Sequence, residues 1–355
     1  MRVDQLIPAF HRGDAIGDTA SHMKRFLRSR GFESEIYCLN RDKGLENDSV
    51  LFDEFPPPDP GDAVILHYAL VSPMTAAFAE LSARKAIIYH NVTPPHFFRA
   101  FSPEMARICR LSREQLEGLA PTVHLAMADS EVNRRELEEM GFRPTSVLPL
   151  FVDFTKYEGP ASPMMTRLLD DGRTNILFVG RIVPNKRIED LIKVLFYTKK
   201  YISPLVRLIV VGKTSSMPGY YRSLVRLADE FFLMPEEMLF TGHVSDAELI
   251  SIYRSAHVFL SLSEHEGFGL PFIESLVFDL PVVAYDCTAV RDTMGEAGVL
   301  IRDKGVGFVA ELVDIVARDK ALRERIIRGQ RKRLRQYKDA DLEGILIKNV
   351  EKLLA

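Results

Sequence analysis

Residues 258–275 read Val258-Phe259-Leu260-Ser261-Leu262-Ser263-Glu264-His265-Glu266-Gly267-Phe268-Gly269-Leu270-Pro271-Phe272-Ile273-Glu274-Ser275. A short apolar run suited to a buried strand gives way to a polar loop with two glycines, and Pro271 then fits the first position of a helix. This is the strand–loop–helix junction of a parallel sheet, and the same junction recurs outward in both directions. Toward the N-terminus of this half, strands are predicted at 175–180, 207–212 and 238–241, and beyond it at 282–284 and 299–301, with helical stretches between them. The first half repeats the rhythm, with strands at 3–8, 35–38, 63–67, 86–90, 125–128 and 146–148 and helices notably at 19–30 and 132–140. Between the halves, 151–173 carries Gly159, Pro160, Pro163, Asp170, Asp171 and Gly172 without a sustained period and reads as a linker. The fold class is therefore α/β: two Rossmann-like domains, 1–160 and 170–340, with the terminal helix at about 341–355 packing back on the first.

The composition agrees with this reading. The chain has 355 residues, 46% hydrophobic and 27% charged, enough for two ordinary domains. Its net charge of −3 offers no global field for nucleic acid. Cys38, Cys109 and Cys287 stand far apart, in neither a disulfide nor a zinc pattern. No apolar leader opens the chain, and the longest apolar stretch, 205–212, is broken by Arg207, so the expected setting is cytoplasmic.

Open α/β sheets bind ligands beyond the carboxyl ends of their strands, so the loops there hold the candidate chemistry. Gly267 and Gly269 allow close backbone approach, and the amides near Gly269 and Leu270 open a helix toward an anion. Glu266 and Glu274 can flank one ligand and accept from paired sugar hydroxyls; the plainer alternative is that Glu274 favours the helix dipole and Glu266 is solvated. After strand 175–180, Gly180-Arg181-Ile182-Val183-Pro184-Asn185-Lys186-Arg187 places two cations where a diphosphate could leave, the alternative being an exposed basic turn. Thr241-Gly242-His243-Val244 closes a third strand, and Tyr89-His90-Asn91 and Gly13-Asp14-Ala15-Ile16-Gly17 close two strands of the first half.

The pairs G-R-x(4)-K and E-G-F-G-L-P-x-x-E, in order over about 175–301, resemble the signature of the retaining glycosyltransferases of family 4, which have the GT-B fold. The resemblance implies that Arg181 and Lys186 contact the donor diphosphate, Glu266 the transferred sugar and Glu274 the ribose. It places Gly180, Gly267, Phe268, Gly269 and Leu270 against the sugar and phosphates, and Gly242 and Val244 beside the base, with His243 packing. It points His90 at the donor sugar across a cleft, while Gly13 and Gly17 lie against acceptor or diphosphate. The loop at Gly13 is similar to that of a subset including O-antigen and exopolysaccharide mannosyltransferases, which implies GDP-mannose as donor and a glycan or polyprenyl-linked saccharide as acceptor. Phe278-Asp279-Leu280-Pro281 and Arg291-Asp292 depart from the family's usual residues.

Other patterns are weaker. Gly212-Lys213-Thr214 mimics the end of a nucleotide-binding loop, but Arg207 stands where its first glycine belongs. The one D-x-D, Asp339-Ala340-Asp341, reads as a helix start, so transfer without a metal or other cofactor is expected. Arg318 to Lys338 is strongly basic, and Lys24, Arg25, Arg28 and Arg30 mark the first helix. Such runs are more often solvated faces; the other reading is peripheral contact with anionic lipid at the inner membrane. Two rival functions remain at this stage, a nucleotide-sugar 2-epimerase of the same architecture and a non-catalytic sugar-nucleotide-binding protein.

Overall fold

A computed structural model of the chain describes residues 1–11 and 13–355. The chain divides into two compact units, the first formed by Met1–Pro95, Glu104–Asp153 and Ala340–Ala355, the second by His96–Pro103 and Phe154–Asp339. The division thus falls at Asp153 rather than at 160, and 96–103 belongs to the second unit. The stretch 151–173 is also less of a linker than expected: it holds a 3-10 turn, Phe154–Tyr157, and a helix, Pro163–Leu169, which Ser162 caps by accepting from the Met165 amide. Seven residues are too few to show a helical period in sequence, and the cap and proline that mark the start read equally well as loop.

The first unit is built on strands β1 (Val3–Phe10), β2 (Ile36–Arg41), β3 (Val50–Leu51), β4 (Ala63–Tyr68), β5 (Arg84–Tyr89), β6 (Leu125–Ala128) and β7 (Thr145–Val147). They form one parallel sheet in the order β3-β2-β1-β4-β5-β6-β7. β4, Ala-Val-Ile-Leu-His-Tyr, is buried along its whole length, as a strand covered on both faces must be. Only β3, two residues long, lacked a signal in sequence. The last helix, Leu342–Leu354, starts at Asp341, whose carboxylate accepts from the Gly344 amide, and packs Leu346, Val350 and Leu353 against Ile65, Ile88 and Phe151.

The second unit carries β8 (Thr174–Val179), β9 (Val206–Val211), β10 (Met238–Gly242), β11 (Val258–Ser261), β12 (Val282–Tyr285) and β13 (Val299–Ile301), again all parallel, in the order β10-β9-β8-β11-β12-β13. Arg207, the charge that interrupts the apolar run of β9, is buried and fully engaged: it donates to the Glu236 carbonyl (2.6 Å) and Asn175 (3.3 Å) and pairs with Asp171. Each sheet reverses its strand order once, at β1/β4 and at β8/β11, and the crevice beyond the strand ends at such a point is where ligands bind. No described helix is long and apolar enough to cross a membrane.

Three neighbouring strands of the second sheet end alike: β8 in Val179-Gly180, β9 in Val211-Gly212 and β10 in Thr241-Gly242. The Gly180 amide bonds the Val211 carbonyl (2.9 Å) and the Gly212 amide the Gly242 carbonyl (3.0 Å). A Cβ on Gly212 would stand 1.9 Å from the Gly180 carbonyl oxygen, a backbone atom with nowhere to go. Gly212→Ala should therefore cost about 3 kcal/mol or more and lower the melting of this unit by roughly 6–12 °C. Gly13→Ala, with open space around its Cβ and only its positive φ to strain, serves as the control and should lose about 1 kcal/mol by calorimetry.

Candidate active site

The loops after β8 and β11 form the floor of the second unit's crevice, and they are tied together by backbone and side chain. The Glu264 amide donates to the Asn185 carbonyl (2.8 Å), and the Asn185 side-chain amide donates to the His265 carbonyl (3.0 Å). Asn185 is buried, and its other polar atom, Oδ1, has no hydrogen-bond partner. Its clamping role left no mark in sequence, because it depends on a loop 80 residues away.

Across this clamp Lys186 Nζ meets Glu266 Oε2 at 2.5 Å, with the two side chains only 14% and 9% exposed. Both ends of the pair were candidates in sequence; that they face each other is a tertiary result. Glu266 is held from behind by Thr288, whose hydroxyl bonds its amide and its carbonyl, both at 2.8 Å. Thr288 adopts φ 35°, an unfavourable conformation for a β-branched residue, as a clamp under strain would. Beside it Cys287 donates to the Ser263 carbonyl (3.0 Å), and burial, with the Glu266 charge adding to it, pushes the thiol up to about 12. This cysteine is an inert packing group at neutral pH.

The three cations of the first loop differ in their freedom. Arg187 serves the fold: it pairs with Glu189 (3.0 Å), Asp190 (3.2 Å) and Glu264 (3.5 Å), and Lys304 pairs with the last two. Lys186 is committed to Glu266. Arg181 is exposed and makes no ion pair among the described residues, which leaves its guanidinium for a ligand.

Glu274 sits in helix Leu270–Val277, whose cap is Gly269 in the left-handed conformation, φ 86°. A Cβ on Gly269 would lie 2.5 Å from the Phe272 ring, so glycine is required twice over. Pro271 takes the second helical position, one later than expected. Glu274 is buried and accepts from Tyr157 (2.8 Å) and Tyr253 (2.7 Å), one hydroxyl to each oxygen. Each oxygen keeps a second lone pair for a ligand hydroxyl. Burial, with the Glu274 charge adding to it, raises Tyr253 well above 10, so it donates at any physiological pH. Glu266 is buried and paired, so the alternative that it is merely solvated falls away, and Glu274 is held by two tyrosines rather than only favouring the helix dipole.

Phe268 is buried, and its carbonyl accepts from Thr293; Gly267 and Leu270 complete the same loop. Gly180 and Gly242 sit at the ends of β8 and β10, and Val244 is half-buried just beyond. His243, expected to pack, is exposed instead, because the turn at Gly242, φ 72°, carries it outward. Gly212, dismissed in sequence as a false nucleotide loop, belongs to this floor; the repeated Val/Thr-Gly strand ending was its signal.

In the first unit, Gly13 (φ 69°) turns the chain after β1. Gly17 lies inside helix Ala15–Ser29, where a Cβ would come 3.1 Å from the His11 carbonyl oxygen. His90 follows β5 with its side chain 2% exposed: Nδ1 stands 3.1 Å from Asp129 and Nε2 3.0 Å from His67. Lys24 is no part of an exposed basic face; it is buried, donates to the Asp48 carbonyl (2.9 Å) and pairs with Glu35. The basic run 318–338 is likewise divided. Arg333 bonds the carbonyls of Thr293 (2.8 Å) and Asp292 (2.5 Å), Arg323 bonds that of His257, and Arg331 pairs with Asp279 (2.6 Å). Arg325, Arg328, Lys332 and Arg335 remain as an exposed stripe at helical spacing.

Residues 166–333, which contain this floor, match the family of glycosyl transferases group 1. The second unit carries a glycosyl transferase group 1 domain. The chain is 32% identical over 173 residues to the capsular polysaccharide biosynthesis glycosyltransferase CapM of Staphylococcus aureus, a stretch covering 47% of this chain and 43% of CapM. It is 35% identical over 133 residues to a GDP-mannose-dependent alpha-mannosyltransferase of Mycobacterium tuberculosis, covering 37% of this chain and 31% of that protein. The matched stretches span less than half of either relative. Over its whole length the fold is similar to that of Anabaena HepE, crystallised with UDP and glucose, with a TM-score of 0.76, 17% identity and 99% of each chain covered. The architecture is GT-B: two Rossmann-like units.

Lys186 and Glu266 form a largely buried pair, and removing one partner leaves the other's charge desolvated. Lys186→Ala should destabilise by about 2 kcal/mol in urea unfolding, and adding Glu266→Gln should recover part of that loss. A coupling above about 1 kcal/mol in the double-mutant cycle is the expected result; additive losses would show that the pair contributes nothing.

Proposed function

We propose that this chain is a retaining hexosyltransferase that moves a sugar, mannose from GDP-mannose, onto a glycan or lipid-linked saccharide in polysaccharide synthesis. The observation that carries it is the crevice at β8/β11, where a free Arg181, the Lys186–Glu266 pair and the buried Glu274 stand on bare glycine backbone. The family of the second unit and the names of its relatives support the reaction class. Mannose rests on the mycobacterial relative, whose printed name gives its donor. HepE was crystallised with UDP and glucose, so the base is the first point to measure.

In this reading Arg181 and Lys186 bind the two phosphates, a planar fork and a point charge on one leaving group. Glu266, already a partner of Lys186, turns its free acceptor capacity to the sugar hydroxyls, and Glu274 takes the ribose hydroxyls while its tyrosines hold it in place. The bond from the anomeric carbon to the phosphate oxygen breaks, and the acceptor oxygen bonds the same face of that carbon. The acceptor's proton passes to the departing phosphate. Charge develops on the diphosphate as it leaves, and Arg181 and Lys186 meet it with fixed positive charge, the role a divalent ion plays elsewhere. The exposed stripe of Arg325, Arg328, Lys332 and Arg335 suits peripheral contact with anionic lipid, where a lipid-linked acceptor resides.

A thermal-shift panel with GDP, UDP, ADP and dTDP tests the donor site, since a ligand of the native state raises its melting temperature. GDP alone should shift it, by an amount lost in Lys186→Ala. Incubating GDP-mannose with and without acceptor separates the alternatives: transfer needs the acceptor, a 2-epimerase converts the donor without it, and a binding protein turns over nothing. Turnover should survive EDTA; its loss would assign the phosphate charge to a metal and overturn the cation-pair account.

A further inference from the structure

Four polar side chains run as one hydrogen-bonded chain across adjacent strands of the first unit: Gln5 on β1, His67 on β4, His90 just after β5 and Asp129 just after β6. All four side chains are buried, and the two imidazole rings lie nearly parallel, 5.2 Å apart. Beyond them the charges are closed among themselves: on helix Glu131–Glu139, Glu136 pairs with Arg113 and accepts from Tyr89 (2.8 Å), and helix Ala15–Ser29 contributes only the Ala20 carbonyl.

The direction of each bond can be counted from one end. The Gln5 amide nitrogen donates to the Ala20 carbonyl (3.0 Å), which turns its oxygen toward His67. That oxygen can only accept, so His67 Nε2, 3.0 Å away, carries a proton. Burial, with the neighbouring His90 adding to it, holds His67 well below 6.5, so it has a single proton at neutral pH and its Nδ1 is bare. His90 Nε2, 3.0 Å from that bare nitrogen, must then donate. This leaves His90 Nδ1 facing both Asp129 oxygens, at 3.1 and 3.2 Å. A bare nitrogen there would set acceptor against acceptor in a buried place. The chain closes when this nitrogen also carries a proton.

We propose that Asp129, His67 and Gln5 are positioning residues that fix His90 as a doubly protonated ring, an N–H donor rather than a base. A ligand oxygen reaching this ring, a sugar hydroxyl or a phosphate, replaces His67 as the acceptor of the Nε2 proton; it does not give a proton up. The use of the ring toward a donor sugar rests on the proposed transfer reaction, but its protonation does not.

The experiment is nitrogen-15 NMR of histidine-labelled full-length protein at pH 7, with the His90 signals assigned by their loss in His90→Phe. Two protonated ring nitrogens are expected in the wild type. In Asp129→Asn the new amide can donate to Nδ1, so the Nδ1 proton should be lost while Nε2 keeps its own. A neutral His90 ring in the wild type overturns the proposal, as does an Asp129→Asn ring that keeps both protons. The wild-type spectrum is decisive by itself should the variant not fold. Failure of nucleotide binding with the expected ring state would count against the transfer reading alone.

Discussion

At the ends of β8 and β9 two strands come so close that there is no room for a side chain. The distance from a Cβ added at Gly212 to the Gly180 carbonyl oxygen would be 1.9 Å, and the backbone on each side is pinned by the sheet. The consequence is a ledge of bare peptide beside the sheet's switch point, from which the Gly180–Arg187 loop departs. The position of Arg181 and Lys186 follows from where that ledge ends. Helix Leu270–Val277 starts under a similar constraint, with Gly269 pressed against the Phe272 ring. Glycine here makes space for backbone as much as it provides flexibility.

On that scaffold the polar groups of the crevice are held before any ligand arrives. Lys186 and Glu266 neutralise each other, Thr288 fixes Glu266 by its backbone, and two tyrosines saturate one lone pair on each oxygen of Glu274. Burying such groups unpaired would cost several kcal/mol each. Pairing them offsets the cost of burial, and it also means that a ligand must share or displace existing bonds. Arg181 is the exception, an exposed cation without an ion pair among the described residues, and so the group able to meet an anion with nothing to release first. The first unit shows the same economy in its Gln5–His67–His90–Asp129 chain, where a buried carboxylate is matched by a ring proton.

Much of the architecture was legible because parallel strands buried on both faces leave unmistakable apolar runs: β4, β6 and β12 appear within a residue of where their sequences place them. β3 and helix Pro163–Leu169 were not legible, being too short for any period to emerge. The basic run 318–338 shows a different limit. Its charge is plain in sequence, but Arg323 and Arg333 turn inward to bond carbonyls of residues distant in the chain, while Arg325, Arg328, Lys332 and Arg335 stay on the outside.

For the site, the residues of the Gly180–Arg187 and Glu264–Glu274 loops were determined by sequence, because glycines after a strand and carboxylates at fixed spacing are local signals. Which of them touch was decided by the tertiary structure alone. The Lys186–Glu266 pair, the Asn185 clamp and the reversal of His243 depend on groups brought together across a sheet or turned by one dihedral angle. The same holds for His90: its place at a strand end is written in the sequence, but its partners lie on three other strands or their ends, and the direction of its hydrogen bonds is set by a glutamine amide two side chains away.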